Sequence, residues 1–204
     1  MPACSTPVAS NMVVKTESPE VVRSRKEILK LMLSSGNHNC AIGGADEEDW
    51  NDFQRLVHRY DGDSELCPVW GDCRLQDLAY RYQVFGGEHP DPDSLYPMET
   101  VNPFILRDFS RCILCGRCVQ ACNEIQVNNA INFGYRGSTT KIVTGGDNPL
   151  KDSDCVFCGE CVQVCPVGTL VEKDVRYQTR PWETKKVKTT CTYCGVGCQI
   201  YLHV

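Results

Sequence analysis

The 204-residue sequence predicts an α+β fold held together partly by metal ligation rather than by apolar packing alone. Three observations carry this. First, 15 residues are cysteine, an odd number in a chain that opens without a charged-then-apolar leader. Such a chain is expected in the cytoplasm, where thiols stay reduced and serve metals rather than disulfides. Second, aliphatic and aromatic residues are spread thinly, with a mean hydropathy of -0.30. Third, the segment RCILCGRCVQAC returns as DCVFCGECVQVCP, with 32 residues lying between Cys122 and Cys155. Lys and Arg number 21 against 26 Asp and Glu, a formal net charge of -5, so the basic footprint of a nucleic-acid binder is missing. No apolar run approaches the roughly 18 residues of a membrane helix, and no direct membrane span is expected.

The elements follow in order. Residues 1–15 are a short opening piece around Cys4, and residues 16–87 form the next unit. Ser18 caps a helix, Pro19 fills its first turn, Val21, Ile28, Leu29 and Met32 share a face, and Gly36 ends it. Its end delivers His38 and Cys40. From Asp46 to Glu65 eight acids face two bases, with Trp50, Phe53, Leu56, Val57 and Tyr60 at helical spacing. This acidic insertion is either a solvated excursion or a docking surface for a basic partner face. Leu75, Leu78, Ala79 and Tyr82 make a further short helix that begins at Cys73 and is closed by Gly86 and Gly87. Four prolines make residues 88–103 a linker. Residues 104–172 hold the repeat, each copy leading from a strand or loop into a short helix. Residues 173–188, six bases against two acids, are a basic linker, and residues 189–204 carry CTYCGVGC.

Cys112, Cys115, Cys118 and Cys122 are spaced Cys-x2-Cys-x2-Cys-x3-Cys, and Cys155, Cys158, Cys161 and Cys165 repeat the spacing before Pro166. That is the run of two-cluster bacterial ferredoxins, in which three thiolates wrap one [4Fe-4S] cube and the fourth reaches across to the other. On that logic Cys112, Cys115, Cys118 and Cys165 hold one cluster, and Cys155, Cys158, Cys161 and Cys122 hold the other. Structural zinc, bound by two pairs of ligands, leaves no role for the repeated third cysteine. Gly116 and Gly159 keep the backbone close to each cube. Ile113, Leu114, Val156, Phe157, Val162, Val164 and Val167 are expected to exclude water. Arg111, Arg117, Lys141 and Lys151 are either local counter-charges or ordinary surface cations. Such a pair of clusters moves single electrons and needs no substrate pocket.

His38, Cys40, Cys67 and Cys73, in HNC and CPVWGDC, resemble a histidine- and three-cysteine-ligated [4Fe-4S] region. It is found in the large iron-sulfur subunit of respiratory complex I, in iron-only hydrogenases and in NAD-linked formate dehydrogenases. In that pattern the histidine stands three residues before the first cysteine, and two residues separate the first two cysteines. Here only Asn39 lies between His38 and Cys40, and the acidic insertion places 26 residues between Cys40 and Cys67. His58 and His89 are the alternative histidines. Cys191, Cys194 and Cys198, in CTYCGVGC, resemble the opening of molybdopterin oxidoreductases of the formate dehydrogenase type, three ligands of an incomplete [4Fe-4S] cluster. MPACSTPV resembles the close of a [2Fe-2S] ferredoxin-like domain, with Cys4 as its last ligand.

The resemblance covers nearly the whole chain and implies the iron-sulfur interior of a formate dehydrogenase catalytic (alpha) subunit, cut at both ends. It implies three complete [4Fe-4S] clusters and one incomplete one, with a [2Fe-2S] cluster where upstream ligands are supplied. A molybdenum or tungsten bis-molybdopterin cofactor is expected in a C-terminal part or a partner, and a flavin- and NAD(P)-binding iron-sulfur subunit as a further partner. The chain alone is expected to hold no catalytic residue. The complex I subunit has the histidine-ligated region without the doubled repeat, and iron-only hydrogenases lack CTYCGVGC, so the order of motifs favours formate dehydrogenase. The alternative is a separately encoded ferredoxin-like electron-transfer subunit of a multi-subunit hydrogenase or other oxidoreductase.

Overall fold

The computed structural model describes residues 5–36, 38, 67–84, 96–176, 178–180 and 183–204. Cys4, Cys40, His58, His89, the acidic insertion and the glycines expected to close the second helix lie outside the described residues. Helix α1 spans Pro19–Ser34, with the Ser18 hydroxyl accepting from Val21 N at 3.5 Å. At its other end the Ser35 hydroxyl donates to the Met32 carbonyl at 2.8 Å. Leu29 and Leu33, one turn apart, are its buried stripe, whereas Ile28 is 50% exposed and does not join the expected face. Helix α2 spans Arg74–Arg81, and the Cys73 sulfur is its cap, accepting from Gln76 N at 3.5 Å. Its buried face is Leu75, Gln76, Ala79 and Tyr80, with Leu78 turned outward against expectation. These helices enclose Trp70, and Val167 from the repeat completes the same core.

The repeat folds around a second core. Strand β1 (Ile105–Arg107) pairs antiparallel with β4 (Leu170–Glu172), Leu106 opposite Val171. Between them come helix α3 (Arg117–Gln120), a π turn over Ala121–Ile125, the hairpin of β2 (Ile131–Gly134) and β3 (Lys141–Thr144), and helix α4 (Glu160–Val164). Ile105, Ala130, Ile131, Ile142, Leu150 and Leu170 pack with Cys118 and Cys122 inside. The chain closes on a hairpin of β5 (Lys186–Thr190) and β6 (Gln199–His203), so the end of the basic segment is strand. No helix among the described residues is long and apolar enough to cross a membrane.

Candidate metal centres

The two copies of the repeat bend alike because the same residue types stand at the same corners. Leu114 and Phe157, two residues after the first cysteine of each copy, have φ of 53° and 54°, and Gly116 and Gly159 have 74° and 79°. Glycine takes such angles without strain, and α3 and α4 start directly after it. The bend turns amides toward sulfur: Leu114 N donates to Cys112 Sγ and Phe157 N to Cys155 Sγ, each at 3.4 Å. All eight cysteines of the repeat line one cavity, with Arg107, Leu150 and Thr169 among its other walls. Within it Cys165 lies in electrostatic reach of Cys112 and Cys118, and Cys122 in reach of Cys155 and Cys161. Each fourth cysteine therefore lies in reach of the first and third cysteines of the other copy.

Cys67 and Cys73 sit against the segment that follows Cys165. The Cys73 thiol donates to the Pro166 carbonyl at 3.5 Å, and Arg74 N donates to the same oxygen at 2.9 Å. A Cβ on Gly168 would lie 3.1 Å from Cys67 Sγ, so glycine is what lets the two units close. From the other side Arg180 Nη1 donates to the Cys67 carbonyl at 3.2 Å. His38 is 4% exposed, its amide bonded to Gly36 O at 2.9 Å. Gly36 abuts the Ser110 carbonyl, and the neighbouring Arg111 acts on the Cys67 thiol. Sequence reasoning could not find this seam, because Pro166, Val167 and Gly168 carry no metal-ligand signal. At the far end the Cys191 amide donates to the Cys198 carbonyl at 2.7 Å, closing the loop that carries Cys191, Cys194 and Cys198.

The thirteen cysteines among the described residues are free thiols. Burial, reinforced by neighbouring thiolates, pushes Cys118 and Cys161 up to about 12 and Cys112 and Cys73 to about 11, and burial also raises Cys67 and Cys155. Several thiolates in one cavity are thus stable only with cations among them. Amides already aimed at sulfur fit an iron-sulfur cluster. Of the expected counter-charges, Arg111 is buried against Asp108 at 3.1 Å and Lys141 pairs with Asp147 at 2.8 Å. Lys151 and Arg117 are exposed. Val156 is 65% exposed and is not among the cavity's lining residues, whereas Leu114, although 38% exposed, lines it. Arg107, buried in the cavity wall, was not singled out by sequence because it lies outside the Cys-x2-Cys frame.

The fold and cysteine geometry of the repeat define a two-cluster ferredoxin-type domain. Residues 111–169 match the 4Fe-4S dicluster domain family, and residues 184–204 match the molybdopterin oxidoreductase Fe4S4 domain; the chain carries both. It is similar to the NADPH-Fe(3+) oxidoreductase alpha subunit of Geobacter sulfurreducens, 34% identical over 100% of this chain and 21% of that one. An NADH-quinone oxidoreductase subunit of Rhizobium meliloti is 32% identical over 98% of this chain and 20% of its own length. Formate dehydrogenase-like proteins of Staphylococcus match at 29% identity over 96% of this chain and 21% of theirs. Among solved structures, a chain of an NAD+-reducing [NiFe]-hydrogenase superposes with a TM-score of 0.64 and 26% identity, over 86% of this chain and 65% of that one. The chain spans about a fifth of the length of these curated relatives.

Proposed function

We propose that this chain is the electron relay of an NAD(P)-linked oxidoreductase, holding three [4Fe-4S] clusters in a connected series. One observation supports the reading: Cys67 and Cys73, two of the four proposed ligands, are packed on Pro166–Gly168, directly after Cys165. In the proposed assignment His38, Cys40, Cys67 and Cys73 hold one cluster. Cys112, Cys115, Cys118 and Cys165 hold the second, and Cys155, Cys158, Cys161 and Cys122 the third. When bound, such clusters supply one-electron transfer at potentials set by charge, hydrogen bonds and solvent exposure. The chain's own part is to fix the ligands, aim amides at sulfur and exclude water. Cys191, Cys194 and Cys198 open a further cluster on the molybdopterin side, and Cys4 closes a [2Fe-2S] site on the other. Partners are a molybdopterin domain or subunit and a flavin- and NAD(P)-binding subunit, in the cytoplasm, with formate as the electron donor. CTYCGVGC and the matching Fe4S4 domain support the formate reading.

A second reading, a relay subunit of an NAD(P)-linked hydrogenase, is supported by the superposition on the hydrogenase chain. Anaerobic reconstitution of the 204-residue chain tests the relay itself: about twelve irons are expected, three clusters of four, falling to about eight in Cys67→Ser. Eight irons in the unsubstituted chain, with no loss on that substitution, would remove the histidine-type cluster. Formate-dependent against hydrogen-dependent dye reduction, after addition of candidate catalytic partners, separates the two readings.

A further inference from the structure

Among the described residues that line the eight-cysteine cavity, Arg107 is the one basic residue, Glu160 is the one acidic residue, and Arg107 is 3% exposed. Strand β1 holds its backbone, and a bridge to Glu99 lets Arg107 N donate to Glu99 O at 3.1 Å while Glu99 N donates back at 2.8 Å. The side chains meet again: Arg107 Nη2 lies 2.5 Å from Glu99 Oε2. The guanidinium also stacks over Phe109, 5.0 Å from the ring centre. Its Nε and Nη1 are buried and have no hydrogen-bond partner among the described residues. Two guanidinium donors are therefore left over in a cavity wall where an unsatisfied buried donor is costly.

The pair belongs to one side of the cavity. Glu99 Oε1 accepts from Leu150 N at 2.9 Å, the Ser153 hydroxyl donates to Leu150 O at 2.7 Å, and Cys155 N donates to that hydroxyl at 3.3 Å. Arg107 and Glu99 are thus tied to the loop that presents Cys155.

We propose that Arg107 is a cluster-tuning residue that makes the cluster assigned to Cys155, Cys158, Cys161 and Cys122 the more readily reduced of the dicluster pair. Glu99 sets how much of its charge is felt. The physical basis is that reduction adds one negative charge, which a buried cation stabilises. Glu99 neutralises part of that cation through the oxygen it shares with Nη2. Its other oxygen is committed to Leu150. The inference rests on the cluster assignment proposed above.

The test uses the full chain reconstituted anaerobically and titrated under EPR, the cluster in question identified by the spectral change in Cys158→Ser. Arg107→Met should lower its reduced-to-oxidised ratio at fixed potential by about tenfold, a downward shift of about 59 mV for a one-electron couple. Glu99→Gln keeps an acceptor for Leu150 and removes the neutralising charge, so it should shift the same cluster upward. Arg107→Lys should fall between wild type and Arg107→Met. A scaffold role would move Arg107→Met and Glu99→Gln in the same direction, or both clusters equally, and either result overturns the proposal. Should Arg107→Met fail to fold, Glu99→Gln decides, and an unchanged or lowered potential sinks the idea. Fewer than about eight irons in the unsubstituted chain would instead refute the cluster assignment.

Discussion

Gly168 is the most economical place to separate Cys67, and with it the proposed histidine-type site, from the dicluster cavity. A Cβ built there lies 3.1 Å from Cys67 Sγ, 3.2 Å from Val69 Cγ2 and 3.4 Å from Arg111 Cδ, where ordinary contact begins at 3.4 Å. Alanine therefore needs Cys67 to yield by about 0.3 Å, which a ligand held by short turns concedes only partly. Valine puts two more methyls in the same space, and overpacking of that kind costs about 1–3 kcal/mol. Against a typical stability of about 5–15 kcal/mol the fold survives, so the damage stays at the seam. Iron analysis and EPR of the anaerobically reconstituted chain should show Gly168→Val falling from about twelve irons toward about eight, with the dicluster signals retained. Gly168→Ala should keep its iron with an altered signal from the histidine-type cluster. Gly145→Ala is the control, since nothing lies within 4 Å of a Cβ there. Retention of all the iron and an unchanged spectrum in Gly168→Val would refute the claim that this seam positions Cys67.

Replacing His38 by cysteine adds an anionic ligand where a neutral one is proposed, and should lower the potential of that cluster, the converse of histidine ligation in Rieske centres; an unchanged EPR-monitored potential would assign the fourth ligand elsewhere. Trp70→Ala empties the centre of the core shared by α1 and α2, where the indole is 1% exposed, and should cost about 3–5 kcal/mol in denaturant titration of the reconstituted chain. In the metal-free chain the thiols of Cys118 and Cys161, pushed up to about 12 from an ordinary 9.0, favour the folded state below pH 9. Above that the unfolded chain loses its thiol protons first, so stability should fall between pH 9 and about 12, measurable by denaturant midpoints. At pH 8 iodoacetamide should label the exposed Cys115 and Cys158 before the buried Cys118 and the half-buried Cys161; equal labelling rates would contradict this difference in exposure.

The cysteine spacing, read along the chain, already contained the local chemistry. Two-residue gaps with a glycine after the second cysteine dictate a tight turn, because only a bend of that size brings successive sulfurs around one cube. The turns at Leu114–Gly116 and Phe157–Gly159, and the short helices after them, follow from it. The cap at Ser18 and the helix it starts were legible for the same local reason. Periodicity was less informative about which side of a helix is buried. Ile28 and Leu78 face outward and Leu33 and Tyr80 inward, since the partner element, not the helix, selects the stripe. Only the tertiary structure decided that Cys67 and Cys73 dock on Pro166–Gly168 and that Arg107 enters the cavity wall with Glu99 against Leu150. The physical reason is range. Ligand spacing acts over a few residues of covalent chain, whereas the seam joins residues about a hundred positions apart, fixed by shape and by buried charge that no local pattern encodes.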